Sequence, residues 1–271
     1  MYHTLITAQE LNQHYSSDDW VILDCRFNLA DADKGEALYI NGHIKSAQYV
    51  NLNQQLSGAV TAVSGRHPLP EVTAITQVFS QAGIGEHQQV VVYDDCSGAM
   101  AARTWWLLQW LGHSKVAVLE GGVDAWLQAG YSLTAHSINP VSRHFVRRGS
   151  AYQAISITQL CSGQYQLVDA RAAARFNGEE EPIDQVAGHI PDAVNRPFSD
   201  NLTPAGLFKS RDQLKAQWQT LANDNTLHMC GSGVTACHNI LAMRHAGLSA
   251  SKLYVGSWSE WIRDPTRRVV P

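Results

Sequence analysis

The sequence has few charges, little excess of either sign and no long apolar run. Of its 271 residues 16% are charged, and the formal net charge at pH 7 is -4. A surface of that balance does not attract nucleic acids or anionic membranes. No apolar run approaches the roughly 18–20 residues of a membrane span, and the first residues lack the charged and apolar regions of a secretory signal. We therefore expect neither nucleic-acid nor membrane partners.

The cysteines do not show the spacing of a metal site or a disulfide framework. There are five, an odd number, at Cys25, Cys96, Cys161, Cys230 and Cys237. None lies in a Cys-x-x-Cys arrangement, whereas structural zinc sites use such close pairs and secreted disulfide-rich domains use even numbers. We expect free thiols, no metal and a reducing, cytoplasmic location.

Four short patterns occur twice in the same order. The matched segments are Val21–Arg26 with Gln166–Arg171, Gly42–Ile44 with Gly188–Ile190, Trp105–Gly112 with Ile240–Gly247, and Gly121–Trp126 with Gly256–Trp261. A single match would mean little, but four in one order indicate a duplicated domain. We predict domains at 1–134 and 150–271, joined by a polar and basic linker at 135–149.

Within each copy, short apolar runs alternate with stretches of helical periodicity. The runs are too short for buried helices and are bounded by Gly, Asp or Asn, so they are interpreted as strands: Val21–Leu23, Val90–Tyr93, Val116–Leu119, Leu167–Val168, Leu227–Met229 and Leu253–Val255. Helices are predicted at Met100–Leu111 and Thr235–Ala246, each followed by glycine. Each domain is thus predicted to be α/β, a mainly parallel sheet with helices on both faces.

One glycine-rich turn carries the strongest chemical signal. It follows the strand that ends at Met229 and leads into a helix beginning near Val234; its members after Cys230 are Gly231, Ser232, Gly233, Val234, Thr235 and Ala236. Ligands of open parallel sheets bind beyond the carboxyl ends of the strands. Inward-turned amides and a helix N-terminus stabilise an anion there, which favours the reactive thiolate of a cysteine. We predict a nucleophilic Cys230; the alternative is a buried structural cysteine, the commoner fate of this residue type.

The same turn excludes some chemistry. Cysteine-dependent phosphatases close a turn of similar size with an arginine six residues after the cysteine, and here that position is Ala236. In the first copy, the corresponding loop aligns Asp95 with Cys230. A carboxylate cannot form a persulfide, so the first domain is predicted to be catalytically inactive. Cys96 lies beside the aligned position, and Cys237 is expected to pack in the core.

These motifs resemble the tandem-domain rhodanese family over nearly the whole chain. The matching pieces include the Asp-x-Arg strand ends, the Gly-His-Ile turns and the segment 65–70, Gly-Arg-His-Pro-Leu-Pro. The segment from Cys230 to Ala236 is similar to the loop of the 3-mercaptopyruvate sulfurtransferases. The resemblance implies a transferase that moves a sulfane sulfur from 3-mercaptopyruvate to cyanide or a thiol, including a thioredoxin-type protein, through a Cys230 persulfide. It implies no metal and no organic cofactor.

The resemblance also implies roles for residues outside the loop. Arg175 matches the arginine that pairs with the donor carboxylate. Ser232 and His67 match two members of a Ser–His–Asp relay proposed in that subfamily, with Asn53 in place of the carboxylate. Ile183 stands where some members carry a second arginine. The alternatives are a thiosulfate:cyanide sulfurtransferase, or a persulfide relay module that serves a partner protein.

Overall fold

The computed structural model describes residues 1–249 and 252–271, which form two units. The first unit consists of Met1–Gly58 and Pro70–Ala151, and the second of Ala59–Leu69 and Tyr152–Pro271. The segment Ala59–Leu69 therefore packs with the second unit, although it lies inside the predicted domain 1–134. The predicted linker, 135–149, packs with the first unit.

The first unit alternates short strands with helices. Its elements are β1 (Leu5–Ile6), α1 (Ala8–Asn12), β2 (Trp20–Asp24), α2 (Lys34–Asn41), β3 (Ala47–Tyr49), α3 (Val72–Gln81), β4 (Gln89–Tyr93), α4 (Ala101–Trp110), β5 (Val116–Leu119) and α5 (Gly122–Gln128). The strands form one sheet in the order β1-β5-β4-β2-β3, and all neighbours are parallel. Parallel neighbours need crossover connections, which the helices supply.

The second unit repeats this plan. Its elements are β6 (Gln153–Ile155), α6 (Ile157–Ser162), β7 (Gln166–Asp169), α7 (Ala173–Phe176), β8 (Val194–Asn195), α8 (Arg211–Trp218), β9 (Thr226–Met229), α9 (Ala236–His245), β10 (Lys252–Tyr254) and α10 (Ser257–Trp261), with 3₁₀ turns at Phe198–Asn201 and Gln219–Leu221. Its parallel sheet has the order β6-β10-β9-β7-β8. The predicted α/β class and duplicated sheet are confirmed.

The central strands of both sheets are covered on both faces. Every residue of β4 and β9 is buried, as expected for strands of a parallel sheet that read as continuous apolar runs. The sequence prediction finds these central strands but not the edge strands β1, β3, β6 and β8. Those strands have only two or three residues each, too few for a recognisable pattern.

The repeated Asp-x-Arg motif forms a buried ion pair at the end of a central strand in each unit. The Asp24 carboxylate lies 2.5 Å from Nη2 of Arg26, which also donates to the carbonyl of Gly42 at 2.7 Å. The pair of Asp169 and Arg171 repeats this geometry, with Arg171 donating to the carbonyl of Gly188. The Asp-x-Arg and Gly-His-Ile repeats are therefore two ends of one interaction, which ties a strand end to the turn that leads to the sheet's edge strand.

The basic segment after the first domain is held to the first unit by main-chain bonds. Arg143 and Arg148 donate from their backbone N–H groups to the carbonyls of Ser80 and Leu111, both at 2.9 Å, and Phe145 is buried against Phe79. Among the residues that the structure describes, no helix has the length and apolar character needed to cross a bilayer.

The buried pair in the first unit gives a stability prediction. Asp24→Ala leaves the guanidinium of Arg26, 4% exposed, without its carboxylate. Removing one partner of a buried pair leaves the other charge buried and unpaired. We therefore expect the free energy of unfolding to fall by about 3–5 kcal/mol. Urea denaturation followed by circular dichroism measures this change.

The matched control is Glu86→Ala, which breaks an ion pair with Arg148 in which both side chains are about half exposed. Exposed pairs contribute little because water screens them, so its urea midpoint should match that of the unmodified protein. Equal midpoints for Asp24→Ala and Glu86→Ala would contradict the role assigned to the buried pair.

Candidate active site

The turn that follows β9 is fixed by the first residues of α10. The backbone N–H of Cys230 donates to Oγ of Ser257 at 3.1 Å, and its carbonyl accepts from the N–H of Trp258 at 3.0 Å. The carbonyl of Gly231 accepts from the N–H of Ser259 at 2.9 Å. These bonds hold the turn at the carboxyl end of a central parallel strand, where ligands of such sheets bind.

A main-chain donor faces the Cys230 sulfur. The N–H of Gly233 lies 3.2 Å from Sγ, and Cys230 is 2% exposed. Gly233 has φ +76°, and a Cβ at this position would collide with the carbonyl oxygen of Val255. Only glycine fits this conformation and this space, so the turn depends on Gly233 to direct an N–H group at the thiol.

Ser257 is a component of the site that the sequence prediction misses. It has φ +54°, a strained conformation for a residue with a side chain. Its Oγ donates to the carbonyl of Tyr254 at 2.9 Å while accepting from Cys230, and these two bonds hold the conformation. A signal was present in the repeat, because Ser257 aligns with Gly122, which has φ +58°.

Two guanidinium groups lie beside Gly231. A Cβ on Gly231 would lie 3.0 Å from Nη2 of Arg66 and 3.6 Å from both Nη atoms of Arg175. Any side chain at residue 231 would enter the space in front of these cations, which accounts for a glycine whose φ is not positive. Arg175 was predicted here. Arg66 was not, because it belongs to the segment Ala59–Leu69, far from the turn along the chain.

Two buried carboxylates hold these arginines. Glu181 accepts from Arg175 at 2.7 Å, and the Asp184 carboxylate bridges Arg175, at 3.1 Å, to Nη1 of Arg66. Each of these carboxylate side chains is 5% exposed. Ile183, between them in sequence, is exposed. The stretch after α7 therefore supplies acids that orient arginines rather than a further arginine.

His67 and Ser232 form a hydrogen-bonded pair within the second unit. Nδ1 of His67 lies 2.8 Å from Oγ of Ser232, and both residues are buried. Asn53 lies in the first unit, where it is exposed and its backbone N–H donates to Oδ1 of Asn51. The pairing of histidine and serine is thus seen in the geometry of the turn itself.

In the first unit the residue equivalent to Cys230 is Asp94. It directly follows β4, as Cys230 directly follows β9, and the register with the neighbouring strands agrees. The expected alignment of Asp95 with Cys230 is therefore wrong. Because α4 begins seven residues after Asp94 and α9 six residues after Cys230, equal spacing from the helix starts pairs Cys230 with Asp95, whereas strand register pairs it with Asp94. The first loop has one extra residue.

The Asp94 carboxylate occupies the turn of the first unit. It is fully buried and accepts four backbone N–H bonds, from Cys96 at 3.0 Å and from Gly98, Met100 and Ala101 at 2.8 Å. Burial, followed by the Asp94 and Asp95 charges, raises the pKa of the Cys96 thiol well above its usual range, so Cys96 stays protonated. Cys237 is buried, and its thiol donates to the carbonyl of Gly233 at 3.4 Å.

Comparisons with known proteins agree on one family. Residues 7–129 and 157–264 each match the family described as Rhodanese-like domain. The chain is 44% identical to the Pseudomonas aeruginosa protein named "Probable 3-mercaptopyruvate sulfurtransferase", over 98% of this chain and 97% of the relative. It is 32% identical to the mouse thiosulfate sulfurtransferase, over 89% of this chain and 84% of that protein.

A solved structure shows the same fold. The 3-mercaptopyruvate sulfurtransferase from Leishmania major superposes with a TM-score of 0.82 at 31% identity, covering 95% of this chain and 74% of that one. The relatives are named for two different donors, 3-mercaptopyruvate and thiosulfate, so their names alone do not identify the donor.

The occupied turn of the first unit yields a prediction. Asp94→Asn keeps the shape of the side chain but removes its charge and replaces one acceptor oxygen with a donor. Two of the four amides then lose their acceptor, and the other two donate to a neutral oxygen instead of a charged one. We therefore expect the free energy of unfolding to fall by about 3 kcal/mol or more. Urea denaturation measures the effect.

Asp95→Asn is the matched control for this variant. Asp95 is exposed, and partial burial together with the Asp94 charge raises its pKa. Folding therefore disfavours its charged form, and neutralising it should leave the stability unchanged or slightly higher. Similar losses of stability in both variants would show that the four amide hydrogen bonds do not account for the contribution of Asp94 to stability.

Proposed function

Because the chain belongs to the rhodanese family and is a sulfurtransferase with two rhodanese-like domains, we propose that Cys230 carries the transferred sulfur as a persulfide. The observation that supports this most directly is the Gly233 N–H, 3.2 Å from Sγ, in a turn that only glycine can form. A main-chain donor there stabilises the thiolate and, after transfer, the persulfide. The surrounding turn residues Gly231, Ser232, Val234, Thr235 and Ala236 complete this pocket.

We propose 3-mercaptopyruvate as the sulfur donor. Its single carboxylate and its carbonyl can accept hydrogen bonds from the guanidinium groups beside Gly231, the residue next to Cys230. Glu181 holds Arg175 in that position. The turn itself carries no Arg or Lys. The relatives named for mercaptopyruvate in Pseudomonas aeruginosa and Leishmania major support the same choice.

In the proposed first step, the Cys230 thiolate attacks the thiol sulfur of the donor. The Sγ–S bond forms as the donor S–CH₂ bond breaks, and the bonding electron pair leaves on carbon as the enolate of pyruvate. One proton then converts the enolate to pyruvate, and Cys230 retains the sulfur as a persulfide. The donor sulfur is oxidised to the sulfane level while the carbon is reduced, so no external oxidant is required.

We assign the proton delivery to His67 and Ser232. Their hydrogen bond of 2.8 Å joins a titratable ring to a hydroxyl inside the turn, which suits general acid catalysis at the enolate carbon. The Ser232 hydroxyl would pass the proton on and recover it from His67. Arg175 fixes the donor so that the methylene carbon faces this pair.

In the second step an acceptor attacks the outer sulfur and releases the Cys230 thiolate. Cyanide gives thiocyanate, and a small thiol or a thioredoxin-type protein takes the sulfur as its own persulfide. A cycle of this kind needs Cys230 as a free thiol, which a reducing cytoplasm maintains. We propose that compartment for the enzyme.

We propose no sulfur chemistry in the first unit. Asp94 takes the position of the nucleophile and its carboxylate accepts the amides that would otherwise face an anion. The neighbouring thiol of Cys96 stays protonated because burial raises its pKa. The first domain therefore contributes structure rather than turnover.

The cysteine assignment is tested by mass spectrometry of the intact protein after exposure to donor. The unmodified chain and Cys161→Ser, which removes an exposed thiol, should each gain the mass of one sulfur atom. Cys230→Ser should gain none and should lose all turnover. Labelling that persists in Cys230→Ser would overturn the assignment, and slow labelling by every small donor would favour a relay module loaded by a partner protein.

The proton relay is tested by comparing two donors. Transfer from 3-mercaptopyruvate leaves a carbanion-like enolate, whereas transfer from thiosulfate leaves sulfite, which needs no proton on carbon. We expect His67→Ala to lower kcat with 3-mercaptopyruvate by about 100-fold and to change kcat with thiosulfate by much less. Ser232→Ala should show the same selectivity. An equal loss with both donors would mean that the hydrogen bond only shapes the turn.

A further inference from the structure

Arg66 reaches the nucleophile's turn from a separate segment of the second unit. Its backbone N–H donates to Oγ of Ser259 at 3.1 Å, which anchors the segment to α10. Its side chain is one-quarter exposed, and its Nη2 lies 3.0 Å from the position of a Cβ on Gly231. Burial is the main influence that lowers the pKa of Arg66, while the Cys230 charge raises it.

Asp184 fixes the two arginines side by side. One of its oxygens accepts from Nη1 of Arg66 and the other, at 3.1 Å, from Nη2 of Arg175. The Nε edge of Arg175 is taken by Glu181, at 3.1 and 3.2 Å. Nη2 of Arg66 and Nη1 of Arg175 lie toward Gly231, on the side where a ligand next to Cys230 would be. The bridge thus turns two flexible side chains into one preorganised pair of donors.

The charges around this pair balance. A chain of alternating ion pairs runs through the residues Asp169, Arg171, Glu181, Arg175, Asp184 and Arg66. Three positive and three negative groups sum to zero. The exposed Arg263, whose Nε donates to the carbonyl of Ser64, is the last of the influences that lower the pKa of Arg66, and water screens part of its charge. The site therefore offers directional N–H donors with little net positive charge.

A balanced pair of guanidinium groups discriminates between donors by charge. A planar carboxylate gains two directional bonds and brings one negative charge. Thiosulfate brings two, and the second has no uncompensated cation to meet it, so its desolvation is not repaid. Neutralising one carboxylate in this series of ion pairs would leave one guanidinium charge uncompensated, and that charge could meet the second negative charge of thiosulfate.

We propose that Arg66 is a second donor-binding residue and that Asp184 is a positioning residue whose charge sets the preference for mono-anionic over di-anionic sulfur donors. This inference rests on the proposed function, since it assumes that the donor is bound beside Cys230. It adds to that function the groups that select the donor.

The test compares kcat/KM for 3-mercaptopyruvate and thiosulfate in purified full-length variants. Asp184→Asn keeps the size of the side chain and removes its charge, so the ratio of thiosulfate to 3-mercaptopyruvate activity should rise about tenfold or more. Arg66→Gln should lower kcat/KM for 3-mercaptopyruvate about tenfold, mainly through KM. Arg66→Lys keeps the charge but not the planar fork, and should recover only part of the loss.

Matched controls come from the exposed pair of Glu86 and Arg148 in the first unit. Glu86→Gln and Arg148→Gln make the same chemical changes far from the turn in sequence, and both should leave the donor ratio and KM unchanged. Urea midpoints are measured for every variant. If Asp184→Asn does not fold, Arg66→Gln and Arg66→Lys still decide whether Arg66 binds the donor, and an unchanged KM in Arg66→Gln overturns the inference.

The possible outcomes distinguish a failure of the Arg66 and Asp184 assignment from a failure of the proposed sulfur transfer. Persulfide on Cys230 in the unmodified enzyme, with a donor ratio unchanged in Asp184→Asn or a KM unchanged in Arg66→Gln, would overturn the inference alone. Absence of persulfide in the unmodified enzyme with either donor would overturn the proposed function. A raised thiosulfate ratio in Asp184→Asn, a raised KM in Arg66→Gln and unchanged controls would support the assignment.

Discussion

In each half of the chain, a turn at the carboxyl end of a central parallel strand directs main-chain N–H groups at the first residue after the strand. The first unit fills this place with the Asp94 carboxylate, which takes four amides. The second places a sulfur there, held by the N–H of Gly233. A carboxylate that accepts four charge-assisted hydrogen bonds is fixed, whereas the Cys230 sulfur, which faces the Gly233 N–H at 3.2 Å, keeps electron pairs available for attack. The same main-chain geometry thus serves stability in one unit and reactivity in the other.

The buried Asp-x-Arg pair shows how a structural device becomes part of a site. In the first unit, Asp24 and Arg26 tie a strand end to the carbonyl of Gly42. In the second, the equivalent Arg171 also contacts Glu181 at 3.5 Å, which extends the pair toward Arg175. The arginines beside Gly231 are therefore positioned through a series of ion pairs that starts at the end of a central strand. A rigid scaffold of this kind keeps charged groups oriented without help from a ligand.

The features that the sequence predicted well are local ones. The central strands are continuous apolar runs, and the Cys230 turn is defined by its glycines. The roles of Arg66 and Asp184 were not predicted, because no periodicity marks these residues. Their ion pair depends on how the segment Ala59–Leu69 packs in the second unit. The misplacement of Asp95 has a similar cause: one extra loop residue shifts the count, and only strand register reveals it.

That extra residue limits what the first half can become. With Ala101 seven positions beyond Asp94 rather than six, the loop is fitted around an acceptor with two oxygens, each taking two amides. A cysteine at residue 94 would present one sulfur to a turn spaced for a pair of acceptors. Restoring a second reactive centre by protein engineering would therefore call for a deletion together with the substitution, and duplicated sites in this chain are separated by a change of length as well as of side chain.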